Sequence, residues 1–223
     1  MAKPDRVTPY GLKEVADVYF FPVGTYVDVN SSYTTSAATG YICDYIHAYT
    51  SSNKETAATA NFVFDTLKVS NIEISSEDTS ATGGKGNPEL ISWSYGKEIT
   101  FTMEDAVFNL STLDLMFGAS GSVSDEDNTT ITINSDTFPE NYYIVGTTYL
   151  RSQENGRDYP FIFEIPNGKV QTNGTLTMEA DGDPTTFEMT IKALKKTGSK
   201  ELVKFTRLEV ASDAATHASE NVK

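Results

Sequence analysis

The sequence predicts a mainly β protein, an antiparallel β-sandwich or barrel-like fold with one short flanking α-helix at about residues 111–117. Three observations lead there. Ile99, Phe101 and Met103 alternate with Glu98, Thr100, Thr102 and Glu104, the period-2 pattern of a strand with one apolar and one wet, acidic face. The C-terminal half repeats that design in strand-like runs separated by Gly, Asn, Asp and Pro, a spacing that favours antiparallel strands over a parallel fold. The 12 Phe and 12 Tyr supply the bulky residues a β core needs, in a chain that is 39% hydrophobic and 22% charged. A length of 223 residues is ample for a buried core. We divide the chain into an N-terminal arm (1–17), a single β domain (18–210) with a Ser/Thr/Tyr-rich insertion at about 30–60, and a flexible C-terminal tail (211–223).

In chain order, Pro4 and Pro9 punctuate the arm and leave room only for a short helix at 12–16. Val18 to Phe21 reads as a strand stopped by Pro22 and resumed from Tyr26 to Val29. Within the insertion, Tyr41, Cys43, Tyr45, His47 and Tyr49 would share one face of a strand, while Tyr41, Tyr45 and Tyr49 also fit helical spacing. Tyr and Ile richness and the Thr flanks favour the strand. This weakly charged, aromatic stretch suits a contact between subunits, with Tyr41, Ile42, Tyr45, Ile46 and Tyr49 as candidates, or else a cover for the domain's own core. Residues 62–69 and 71–75 are the next candidate strands, 77–88 reads as a long loop, and 90–95 with 97–103 as a hairpin turning near Gly96. Ser111 followed by Asp114, the apolar Leu113, Leu115, Met116 and Phe117, and Gly118 as a stop define the helix. After a polar loop at 118–128, strands are expected over 129–133, 141–151, 159–165, 169–180, 185–194 and 201–210. The turns between the later strands fall at 153–158, Pro166-Asn167-Gly168, 181–184 and 195–200.

The 31 acidic against 17 basic residues, a formal charge of -14, argue against a surface that grips nucleic acid. The same excess suits a conduit that nucleic acid passes through without sticking. A single cysteine, Cys43, excludes an internal disulfide and fits a reducing compartment. Met1 to Arg6 lack the apolar core of a signal peptide, and no run approaches the roughly 20 apolar residues of a membrane span, so neither classical export nor membrane association is expected.

Catalysis has little material. The two histidines are His47 and His217; Cys43 and His47 stand four apart with no activating or oxyanion element beside them, and zinc would want more His and Cys. Gly83-Gly84-Lys85-Gly86 lacks the following Ser/Thr and helix of a phosphate loop, and Asp181-Gly182-Asp183 lacks the remaining ligands of a calcium loop. No enzyme activity, metal or cofactor is therefore expected. Glu98, Glu104, Glu164, Glu179 and Glu188 fall on polar strand faces; a glycosidase would hold two such carboxylates across a cleft, whereas a solvated sheet face needs none.

Tyr95 to Phe108, with the small helix behind it, resembles a segment of the tail tube (major tail) proteins of tailed bacteriophages. So do Phe163 to Gln171 and their continuation through Gly174 to Gly182 and Phe187 to Ile191. The resemblance implies a β-sandwich with one flanking helix, six copies closing into a ring, and rings stacked into a tube that carries DNA out of the virion. It implies partners limited to further copies of the chain and other phage tail proteins, with DNA only in passage, and a protein made in the host cytoplasm and ending in the tail. In that setting Glu98, Glu104, Glu164, Glu179 and Glu188 are candidate channel-facing residues, and the 30–60 insertion and N-terminal arm are expected to bridge rings. The alternatives are another virion component, such as a baseplate or decoration protein, and a carbohydrate-binding or glycosidase β-sandwich.

Overall fold

Strands form where apolar residues alternate, and every pairing among the described residues is antiparallel. The structure, a computed structural model, describes residues 9–12, 17–29, 40–43, 45–105, 110–118, 123–125, 128–171 and 187–209. The first strands are β1 (Tyr10–Leu12), β2 (Asp17–Pro22), β3 (Tyr26–Val29), β4 (Tyr41–Cys43), β5 (Ile46–Tyr49) and β6 (Phe62–Phe64). Two long strands follow, β7 (Leu67–Thr82) and β8 (Glu89–Asp105), and then the helix α1 (Leu110–Phe117). The remainder are β9 (Val123–Asp125), β10 (Asn128–Thr130), β11 (Asn141–Ser152), β12 (Asp158–Val170), β13 (Phe187–Ala193) and β14 (Lys204–Arg207).

The large sheet runs β6-β2-β11-β12-β13-β8-β7, with β1 added to β11 and β14 added to β12. It is not closed into a barrel, because β6 and β7 at its two ends do not pair. A three-stranded sheet, β3-β5-β4, and the small β10-β9 ribbon complete the topology.

Two apolar clusters lie on opposite sides of the large sheet. The first gathers Phe20, Ile99, Phe101, Met103, Ile144, Phe163, Ile165, Met189 and Ile191 with Leu115 and Met116 of α1. The second joins Phe21, Tyr143, Val145 and Ile162 of the large sheet to Ile46 and Ala48 of β5, so the three-stranded sheet is the second layer of a sandwich. The alternation Phe20/Phe21 and Ile144/Val145 places neighbours on opposite faces, and both faces are filled there. Over β13, β8 and β7 the described residues fill only the first face.

Several expected boundaries change. Gly96 is not a hairpin turn: β8 runs straight through it, and β7 continues to Thr82 where a loop is expected, so the hairpin turns at 83–88. Ser75 pairs Glu98 and Glu77 pairs Tyr95, so Gly96 and Lys97 stand opposite the single Ser76 in a bulge. Gly96 has φ 63°, the left-handed conformation that glycine adopts without strain. Pro166-Asn167-Gly168 is likewise no turn but part of β12, with a register shift opposite Tyr142 to Ile144; proline, having no N–H, is accommodated at the irregularity. Gly168 serves packing, since a Cβ there would lie 2.6 Å from Ile144 Cδ1 and 3.0 Å from Ile191 Cγ2.

The expected strand at Tyr41 to Tyr49 is instead two, β4 and β5, paired as a tight hairpin. Leu12 is in β1 rather than a helix, because it pairs with Leu150, while residues 13–16 lie outside the described residues. The loop expected at 118–128 contains β9 and the start of β10. The helix holds at Leu110–Phe117 with Gly118 (φ 63°) as its stop. The expected strand through 172–180, the turn at 181–184 and the tail at 211–223 lie outside the described residues.

Candidate functional site

The uncovered face of β13, β8 and β7 follows directly from the alternation. With Phe101, Met103, Met189 and Ile191 turned to the core, their neighbours must point away from it. Glu188 stands opposite Glu104, Thr190 opposite Thr102 and Lys192 opposite Thr100. On the other side Asn71 and Glu73 stand opposite Thr102 and Thr100. Lys169 of β12 joins this face opposite Lys192.

The face therefore carries two like-charged cross-strand pairs, Glu104/Glu188 and Lys169/Lys192, an arrangement that is unfavourable by itself. Ion pairs relieve both: Lys192 Nζ lies 2.8 Å from Glu98 Oε1, and Lys68 Nζ lies 3.8 Å from Glu104 Oε1. The face is thus a mixed ladder of carboxylates, ammonium groups and threonine hydroxyls rather than a purely acidic one. Neither apolar cluster includes any of these residues.

Of the five glutamates singled out from sequence, the structure brings Glu98, Glu104 and Glu188 together on this face. Glu179 lies outside the described residues. Glu164 departs from the expectation, being 2% exposed. It occupies the same side of the sheet, but where the three-stranded sheet covers it. Its carboxylate accepts hydrogen bonds from the Tyr143 hydroxyl at 2.6 Å and Lys204 Nζ at 2.8 Å. Burial, the Glu164 charge and the hydrogen bond to it push the Tyr143 phenol well above its usual range.

The aromatic insertion closes the subunit's own core. Ile46 is fully buried and Tyr49 nearly so, and Ile42 and Tyr45 pack against the second cluster. Tyr41 is half-buried, its ring edge-on to the buried His47 at 5.7 Å. Within the folded chain this stretch covers the core, and Tyr41, Ile42 and Tyr45 keep part of their surface exposed.

Exposed apolar surface is concentrated elsewhere, on the distal half of the β7–β8 hairpin. Ile91, Trp93 and Tyr95 are each more than half exposed. They pair with Ala81, Thr79 and Glu77, which continue the β7 face of Glu73 and Ser75. The stripe is therefore on the open side of the sheet, whereas Ile99, Phe101 and Met103 of the same strand are on the core side. All six residues have odd numbers and would share one face of a regular strand. The extra residue at Gly96–Lys97 shifts the alternation by one and sends the outer three to the opposite side. The other face of this hairpin, the β7–β8 arm, is polar at Ser76, Asp78, Ser80, Ser92 and Ser94. Sequence reasoning missed this stripe because Gly96 read as a turn, although the parity of Ile91, Trp93 and Tyr95 was visible.

Among the described residues no group of three His, Cys, Asp or Glu is placed to hold a metal ion, and no helix is long and apolar enough to cross a membrane. No curated protein matches the chain. The model of the YomU/Tube protein family matches residues 45–120 and 123–207, which include the open face, the arm, the helix and the strands β11 to β14. With most of its length matched, the chain belongs to the YomU/Tube protein family, whose members are structural proteins of the phage tail tube.

Proposed function

We propose that this protein is the repeating subunit of a phage tail tube, self-associating into stacked rings of six around a channel through which DNA is ejected. The observation that carries the reading is the arm. A projecting hairpin whose apolar stripe faces away from its own core has no use in an isolated subunit, and exposed stripes of this kind mark protein contacts. Burying Ile91, Trp93 and Tyr95 against another copy would contribute on the order of 1–2 kcal/mol each, several kcal/mol per subunit before the cost of ordering. Repeated around a ring, these contacts would add to what the paired sheet edges contribute. The open face fits the bore: its carboxylates repel phosphate, and ion pairs engage Lys68 and Lys192 within the wall, so passing DNA meets little beyond Lys169 that would hold it. Partners in this reading are other copies and other tail proteins, and the finished location is the virion.

The arm is tested by Ile91→Ser, Trp93→Ser and Tyr95→Ser combined. The triple variant should unfold within about 2 °C of the wild type, because the stripe makes no core contact. Sedimentation velocity and negative-stain microscopy should show it confined to free subunits or single rings under conditions where the wild type forms tubes. Tubes of normal length from the variant would remove the arm from the assembly.

A further inference from the structure

The N-terminal strand β1 has an unusual status in the sheet. Among the described residues it pairs only with Leu150, Arg151 and Ser152 at the end of β11, in line with β2, and all three of its residues are exposed, Leu12 at 69%. Such a strand gains little from apolar burial, the Tyr10 ring apart, and depends chiefly on its backbone pairing, including the Gln153 N–H donated to Pro9 O at 3.1 Å. One side-chain clamp holds it. Arg207 of β14 donates from Nη1 to the Tyr10 hydroxyl at 2.5 Å, and its guanidinium lies 5.0 Å from the Tyr10 ring centre and 5.1 Å from that of Tyr159. Tyr10 and Tyr159 meet edge to face at 6.1 Å, and Arg207 is held from its other side by Glu209. A short edge strand fixed by one cation and two rings is at the low end of local stability.

A subunit that assembles through its sheets must keep its edges from pairing at the wrong time, since an open row of N–H and C=O groups is a template for any strand. Resting on the tail tube reading above, we infer that β1 is a removable cap. Clamped by Arg207 in the free subunit, it shields the Leu150–Ser152 edge of β11, and it leaves that edge during assembly so that a strand of a second copy can pair there.

The test uses the full chain carrying Cys43→Ser. Gly11→Cys with Arg151→Cys places two thiols on exposed cross-strand partners, and a Cβ at Gly11 meets nothing within 4 Å. Oxidation locks β1, and reduction of the same protein is the control for folding. Arg207→Ala, made separately, loosens the clamp. Assembly is followed by light scattering and microscopy, and β1 opening by hydrogen exchange at Gly11 and Leu12. The oxidised protein should stay unassembled over the time in which the reduced form completes tubes. Arg207→Ala should speed exchange at β1 and shorten the lag of assembly about fivefold, the factor set by one contact of this kind. Assembly of the locked form at the rate of the reduced form, or faster β1 exchange in Arg207→Ala without a faster start, would overturn the cap and leave the tail tube reading standing. No assembly by the wild type or any variant would count against both.

Discussion

At the scale of single residues, solvent decides which charges matter to stability. Glu164 is sealed in the subunit, and Lys204 reaches it from a strand at the sheet edge with half of its own side chain exposed. Lys204→Ala would leave a buried carboxylate with the Tyr143 hydroxyl as its remaining hydrogen bond from those described above, at a cost of about 2 kcal/mol. Lys192→Ala removes a pair of equal length whose partners are both well exposed, so the loss should stay under about 1 kcal/mol. Urea midpoints of the two variants check the contrast; equal losses would mean that the two sites are equally wet. Burial, reinforced by Glu140 and Asp114, also pushes the Tyr142 phenol up to about 12 from its ordinary value of 10.0. The folded chain then holds this proton more tightly than the unfolded chain does. Its contribution is intact below about pH 10 and is lost as pH rises through about 12. Tyr142→Phe should flatten the alkaline decline of stability without abolishing it, because the Tyr19 and Tyr143 phenols are raised further.

At the scale of elements, the bulge at Gly96 governs what β8 does. A residue with a Cβ at φ 63° costs about 1 kcal/mol, so Gly96→Ala should lower stability by that amount and leave the stripe on its side of the arm. Deleting Gly96 is a different experiment. It removes the extra residue, so Tyr95 then stands three positions from Ile99 and strict alternation itself keeps Ile91, Trp93 and Tyr95 on the open side. The deletion variant should remain folded through its base, where Phe101 and Met103 are buried, and still assemble. Circular dichroism and electron microscopy on the same sample check both; loss of tubes from a folded deletion variant would show that the bend of the bulge, rather than the side of the stripe, is what assembly needs. The expectation at Ile99, Phe101 and Met103 held because alternation within one unbroken stretch is a local property. Gly96 and Pro166-Asn167-Gly168 misled because turn residues and bulge residues are the same types, chosen for the same backbone freedom or missing N–H. Only the partner strand tells them apart.

At the scale of the whole molecule, the proposed function depends on surfaces that would become walls and contacts only when copies meet. The open face predicts a separation of assembly from transport. Reversing Glu98, Glu104 and Glu188 to Lys should leave tubes of normal bore, since none of the three is buried, while DNA ejection slows as phosphate meets a basic wall. The defect should shrink as salt rises. Ejection at the wild-type rate in low salt would remove these residues from the channel. The same reversal at Glu164 is expected to impair folding first, because that side chain is 3% exposed. The insertion residues from Tyr41 to Tyr49 belong to this scale as well. Their aromatic content was legible as a contact surface, but whether the contact lay within one chain or between two depended on the second face of a distant sheet.

The sequence by itself determined the β class, the single helix closed by Gly118, the core anchors Ile99, Phe101 and Met103, and a polar face opposite them. These are consequences of period, composition and turn chemistry over a few neighbouring residues. Only the tertiary structure decided which part of that polar face stays open. Glu98, Glu104 and Glu188 and the buried Glu164 lie on one side of one sheet, and their alternation looks alike. The three-stranded sheet covers one region of it and not the other, so the desolvation that separates Glu164 from the rest is a property of what lies above the strand rather than of the strand itself.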